Sequence, residues 1–105
     1  MRVAVVGHVE WIELVRVEHV PAPGEIVHAL EVWEEAAGGG AVAAVQLGRL
    51  AGECLFLTAL GDDDLGQRAK RRLEALGVRV EAAWRPHPQR RAVVTSTRTP
   101  SERSR

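Results

Sequence analysis

Three consecutive glycines, Gly38, Gly39 and Gly40, run directly into a helical pattern of small apolar residues, and Gly61 follows 21 residues after Gly40. Glycines at a helix start let backbone N–H groups come close to a ligand, because no Cβ intervenes and the helix dipole presents its positive end there. The same run also serves as a tight turn where a strand meets a buried helix, and the residues alone leave both readings open. Gly61 is followed by Asp62, Asp63 and Asp64, so a strand end and a second helix start fall together. The two bends describe a small-molecule cradle at one end of an α/β sheet.

Composition narrows the partners. A chain of 105 residues is one domain or part of one. Its 14 basic and 14 acidic side chains cancel, so bulk charge selects no partner. There is no basic stripe with interleaved aromatics and no tyrosine, which argues against nucleic acid. The single cysteine, Cys54, sits in an apolar run and reads as a buried small hydrophobe. No secretory leader pattern precedes the first apolar run, and no run approaches the ~18 residues a membrane span needs. A soluble cytoplasmic protein with no membrane partner is expected.

Residues 2–9 form a short Val- and Ala-rich run ending in Gly7-His8, as suits a strand buried on both faces of a parallel sheet. Residues 12–20 and 25–33 largely alternate apolar with polar side chains, predicting two half-exposed strands around the turn Pro21-Ala22-Pro23-Gly24. After Glu34-Glu35 and the glycines, residues 41–50 carry almost no charge, so this helix is expected to be buried. Residues 54–60 read as a second buried strand. Asp62 or Asp63 then caps an amphipathic helix with Leu65, Ala69, Leu73 and Leu76 inward, Gln67, Arg68, Lys70, Arg71 and Glu74 outward, and Gly77 as its stop. Residues 78–84 and 91–94 read as further strands. Two helical crossovers between buried strands imply a parallel sheet with right-handed connections, and the hairpin lies outside it as a lid.

These residues resemble the N-terminal part of the ribokinase/PfkB family of carbohydrate kinases. Gly38, Gly39, Gly40, Ala44 and Gly61 fall on that family's first signature, and Thr58-Ala59-Leu60-Gly61-Asp62-Asp63-Asp64-Leu65-Gly66 and Leu76-Gly77-Val78 are like its wording after the signature. Val5-Val6-Gly7 and Pro23-Gly24-Glu25 agree too, so the likeness covers residues 1–94. The resemblance implies a ribokinase-like three-layer α/β fold with a β-hairpin lid, of which only the N-terminal part is present. It implies ATP-dependent, Mg2+-assisted phosphoryl transfer to a sugar or nucleoside-like hydroxyl, and a homodimer through the lid strands.

The chain departs from the family pattern at the acceptor pocket. The signature Asn falls on Val42, the Ser or Gly position falls on Ala51, and Glu10-Trp11-Ile12 stands where Asn-x-Asp is common. Each hydroxyl left without a partner costs about 1–3 kcal/mol. Gly39 and Gly40 are therefore expected to approach the substrate through backbone, with Glu10 and His8 as its polar side and Trp11 free to stack on a ring. The family's catalytic half, with its anion hole, its base and its ATP pocket, is expected to be missing, so no catalytic residue is assigned. A non-catalytic interaction module is the alternative.

Other features have blander explanations. Asp62, Asp63 and Asp64 suit a helix N-terminus as well as a metal cluster, and no metal site is assigned. Histidines 8, 19, 28 and 87 are too scattered for zinc spacing. The three tryptophans, Trp11, Trp33 and Trp84, are expected to pack between lid and core. Residues 95–105 abandon the apolar pattern and, with Arg85, Arg90 and Arg91 before them, make an arginine-rich end that could be called an anion patch but reads as a solvated, partly disordered tail. Back-translated in GC-rich codons and read two nucleotides later, that end can encode a strand–turn–strand text suited to the family. A shift of reading frame after Val94 is therefore expected.

Overall fold

Short β-branched runs separated by glycine and aspartate bends build two sheets, one carrying the helices and one standing beside them as the lid. The computed structural model describes residues 1–98. The elements run β1 (Ala4–Val6), β2 (Glu10–Arg16), β3 (Glu31–Ala37), α1 (Gly39–Ala51), β4 (Leu55–Gly61), α2 (Asp64–Ala75), β5 (Arg79–Arg85) and β6 (Arg91–Ser96). The first sheet has the order β1-β4-β5, all parallel, with Val5 opposite Phe56 and Phe56 opposite Val80. The second has the order β3-β2-β6, with β2 antiparallel to β3 and parallel to β6. The expected parallel sheet and separate lid are both present.

Side-chain alternation explains how the first sheet packs. Val5, Phe56, Leu60 and Val80 lie on one face and join Ala41, Ala44, Ala69 and Leu73 of the helices in a single core. Successive right-handed crossovers stepping in one direction put both helices on that face. The opposite face, with Ala4, Val6, Leu57 and Ala59, is exposed, Val6 by 82%. Among the described residues the parallel sheet is therefore covered by helices on one face only, with the lid sheet beside it.

Several boundaries differ from expectation for physical reasons. The strand expected at 25–33 begins only at Glu31, because the register sets Glu31 opposite Arg16, where β2 ends. Before it the chain has no partner strand. Ile26 is 88% exposed, and the loop curls on itself through the Glu25 carboxylate, which bonds the His19 ring and accepts from the Ala22 N–H. Glu34 and Glu35 consequently lie inside β3 rather than after it. The turn itself is as read: Glu25 N–H donates to Ala22 C=O and Gly24 takes φ +81°, the position where a type II turn requires glycine. The first helix is less buried than its nearly uncharged sequence implies. Only Ala41 and Ala44 are buried, while Val42, Leu47 and Leu50 are exposed.

The second helix follows its sequence closely. Asp63 is the N-cap and accepts from Gly66 N–H at 2.8 Å, Ala69 and Leu73 are buried, and Gly77 takes φ +90° just past the end. Cys54 is buried and unpaired, and burial pushes its thiol pKa up. Thr95 and Ser96 continue β6 beyond the change in sequence pattern. The rest of the expected disordered tail, residues 99–105, lies outside the described residues.

The lid is pinned to α2 by charge. Arg72 donates two hydrogen bonds to Glu35, at 2.8 and 2.9 Å, and Arg68 donates to Glu34 at 2.7 Å while covering the Trp11 ring at 4.8 Å. Arg68 thus serves the lid rather than simply facing water. The Arg72 hydrogen bond holds the Glu35 carboxyl below its ordinary value of 4.5, with help from the Ala36 N–H and against partial burial. A carboxyl whose folded pKa lies below its unfolded one stabilises the fold above the unfolded value, and that contribution is lost as pH falls through the folded one. Both side chains are substantially exposed, so the pair is worth no more than about 1 kcal/mol. Glu35→Gln should lower the urea midpoint slightly at neutral pH, and the gap to the parent chain should close below pH 4.5. An equal gap at all pH values would show that the ion pair is not its source.

Candidate acceptor site

The three parallel strands end at a common edge, and the chain leaves that edge through small residues. β1 gives way to Gly7-His8-Val9, β4 ends in Gly61, and β5 ends in Arg85 and continues through residues 86–90 into β6. Between them lies a cavity of about 330 Å³, lined by backbone and side chains of all three exits. Ligands of open α/β sheets bind at this carboxyl end, where the crossovers diverge.

Gln89 organises the cavity. It is only 3% exposed, and its side-chain carbonyl accepts from Gly61 N–H at 2.8 Å. Its amide nitrogen donates to Val9 C=O at 2.9 Å and Arg90 C=O at 3.2 Å. The Gln89 backbone N–H donates to the second oxygen of Asp63 at 3.0 Å, while the first oxygen caps α2. One residue therefore ties together the ends of β1 and β4, the start of α2 and the entry to the lid strand β6. Gly61 is glycine because a Cβ there would collide with the Gln89 backbone.

The triglycine run sits behind this cavity. Gly40 packs on Gly7 so closely that a Cβ on either would meet the other's backbone at 2.7 Å. Gly38 takes φ +91°, and the His8 ring lies over Gly38 and Gly39. Close packing of α1 on β1 is thus one reason for the glycines. Gly39 lies beside the His8 ring, after the end of β1, and Gly61 ends β4 at the same edge of the sheet.

Of the four residues expected to meet substrate, His8 lines the cavity, and Glu10, Gly39 and Gly40 stand outside its lining. Glu10 is half-buried and opens β2 opposite Ala37. Trp11 is 5% exposed and covered by Arg68, so it is part of the core and cannot stack on a ligand ring. Val42, on the signature Asn position, is 54% exposed on α1 and does not reach the cavity. Among the lining residues, the sequence does not single out Gln89, presents His87 as a scattered histidine, and presents Arg85 and Arg90 as part of a solvated end, whereas Arg85 closes β5 and Arg90 precedes β6. Their signal was their position just past a strand end, obscured by the prolines Pro86 and Pro88 among them.

Asp62, Asp63 and Asp64 do not form a metal centre. Asp63 spends both oxygens on backbone N–H groups, and among the described residues no three His, Cys, Asp or Glu side chains converge to hold an ion. No helix among the described residues is long and apolar enough to cross a membrane.

The family model for pfkB family carbohydrate kinases matches residues 1–104. The chain belongs to the pfkB family of carbohydrate kinases. Solved structures of similar shape agree with this pfkB assignment. A ribokinase from Thermotoga maritima is 29% identical with a TM-score of 0.78, over 89% of this chain and 31% of that one. A ribokinase from Cryptococcus neoformans, solved with ADP, is 31% identical with a TM-score of 0.72, over 90% and 30%. A candidate ribokinase from Agrobacterium tumefaciens is 27% identical with a TM-score of 0.81, over 90% and 31%. The chain thus spans about a third of the length of these solved relatives. No curated protein sequence matches it significantly.

Proposed function

We propose that this pfkB chain forms the acceptor side of a cytoplasmic carbohydrate kinase. It holds a sugar or nucleoside-like molecule while ATP-dependent transfer to one of its hydroxyls is completed by residues outside this segment. The observation that carries the reading is the cavity at the common edge of β1, β4 and β5, lined by residues from all three strand exits. Its volume falls at the lower end of small-molecule pockets, as a monosaccharide needs. The lid enters the same edge, because Gln89 bonds Val9 just before β2 and itself leads into β6. Positioning of this kind is a large share of what phosphoryl transfer asks of a protein.

The test is thermal unfolding of the 105-residue chain against a panel of sugars, sugar derivatives and nucleosides, with and without ATP. A rise in midpoint with a sugar or nucleoside and none with ATP alone is the expected result. Turnover of ATP by this chain, or no response to any acceptor, would overturn it.

A second reading, a lid-mediated homodimer or interaction module, rests on a different observation. On one lid face the register aligns Ile12 with Ala92, and Leu14 with both Trp33 and Val94, giving five apolar side chains in adjacent rows. None of the five is buried. Such a face fits a second copy of itself. Sedimentation should show a dimer that Leu14→Lys dissociates, whereas a monomer at all concentrations would remove this reading.

A further inference from the structure

The lid sheet ends on one side at β6, and among the described residues β6 pairs with β2 alone. Arg90 C=O accepts from Trp11 N–H, and Ser96 C=O accepts from Val17 N–H. A parallel ladder uses every second residue of a strand, so Arg90, Ala92, Val94 and Ser96 turn their backbone groups toward β2. Arg91, Val93 and Thr95 turn theirs to the open side. Val93 is 62% exposed and Val94 37%. Residues 97–105 contain no Val, Ile, Leu or aromatic residue, and Pro100 has no N–H, so the sequence that follows is poor material for a neighbouring strand.

Strand edges that must stay unpaired are blunted by short length, charge or proline. The other edges of this molecule carry such devices. β1 is three residues long, and β3 carries Glu31, Glu34 and Glu35. β5 begins with Arg79 and ends with Arg85, which an antiparallel copy of itself would set opposite each other. β6 has none of these. It contains no proline, and its one charged residue, Arg91, is already held by Glu13 at 2.9 Å.

We infer that the edge of β6 is a strand-addition site for a second copy of this chain: two β6 strands pair antiparallel about a two-fold axis at Val93 and merge the two lids into one sheet. This register sets Val93 opposite its own counterpart and Arg91 opposite Thr95, so the outward backbone groups meet in hydrogen-bonded pairs and no like charges face each other. It also sets Ala92 beside Val94 of the other copy. Ala92 and Val94 already stand in register with Ile12 and Leu14, so the exposed apolar rows of the two lids become continuous across the axis. The contact joins edges, and it is an alternative to the face-packed pair of the second reading.

The test combines cross-linking and sedimentation of the 105-residue chain. Ala92→Cys and Val94→Cys chains are purified separately, then oxidised alone and as a mixture. Facing residues of a non-hydrogen-bonded antiparallel pair have Cα atoms about 4.5 Å apart, within the span of a disulfide. The mixture should give a disulfide dimer and neither chain alone should, because position 92 faces position 94 and neither faces itself. Buried Cys54 is common to all samples. Val93→Pro removes an N–H that β2 does not use, so the variant should keep its far-UV spectrum while its dimer weakens about 100-fold. The cross-link needs no proline variant and decides by itself. Leu14→Lys, on the lid face, should leave both the disulfide and the dimer in place. Either cysteine chain linking alone as well as the mixture does, or a dimer indifferent to Val93→Pro, overturns the inference. A dimer that only Leu14→Lys dissociates also overturns it and leaves the face-packed reading standing. A chain that is monomeric at all concentrations removes both.

Discussion

Replacing Gln89 with leucine is expected to destabilise the chain by about 2–5 kcal/mol, because two buried backbone groups lose their only side-chain partner at nearly constant side-chain volume. Gly61 N–H would lose the Gln89 carbonyl, and Val9 C=O would lose the Gln89 amide. An unmade bond in the interior costs about 1–3 kcal/mol for each group, more than the bond contributes when made. Gln89→Glu is the informative companion. Its carboxylate still accepts from Gly61 but donates nothing to Val9 or Arg90, and it lies close to Asp63, which the Gln89 backbone N–H already contacts. Chemical unfolding of the three proteins should rank the parent chain well above both variants. A loss below 1 kcal/mol for Gln89→Leu would mean that water replaces the amide and that Gln89 does not organise the edge. Since this side chain joins the core sheet to the entry of β6, its loss should also free the lid, seen as faster amide exchange through residues 91–96.

Gly40→Ala should cost about 2–3 kcal/mol, and Gly39→Ala close to nothing. The new methyl at position 40 would meet Cα and the carbonyl carbon of Gly7 and the backbone nitrogen of His8, each at 2.7 Å. These are main-chain atoms of a packed strand and cannot rotate away, so α1 must lift off β1, an overpacking change. At position 39 the methyl meets only one carbon of the His8 ring, at 3.7 Å, an ordinary contact. Helix propensity favours alanine at both positions by up to about 1 kcal/mol and so leaves the difference between them unchanged. Thermal unfolding of the two variants decides between the packing and ligand roles of the run. If Gly39→Ala leaves stability intact yet abolishes acceptor binding, the exposed glycine serves the ligand and its neighbour serves the fold. Equal losses at both positions would contradict the close crossing of Gly7 and Gly40.

The sequence carried local structure well wherever the determinant was local. Asp63 before Leu65, Ala69 and Leu73, with Gly77 behind them, specifies a capped amphipathic helix from residues within one segment. Pro23-Gly24 specifies its turn for the same reason. Pairing was less legible. Residues 25–30 alternate like a strand, yet a strand exists only opposite a partner, and β2 stops at Arg16. The nearly uncharged helix α1 read as buried, but burial on its far side depends on what lies over it, and Val42 and Leu50 are exposed in the described fold. For the candidate site, His8 was legible because it follows a strand end. Gln89 was not, because its partners, Val9 and Gly61, lie 80 and 28 residues away in sequence.

The order of elements, the family, the separate lid and the positions of the two glycine bends were fixed by the chain's own pattern, since each depends on neighbours within a turn or on the alternation of one segment. Only the folded molecule decided which charges meet. Arg91 reaches Glu13, Arg72 reaches Glu35, and Arg85 and Arg90 come together among the residues lining a cavity. These outcomes follow from how β6 registers on β2 and how α2 docks on β3, and neighbours set by pairing and docking cannot be read from spacing along the chain.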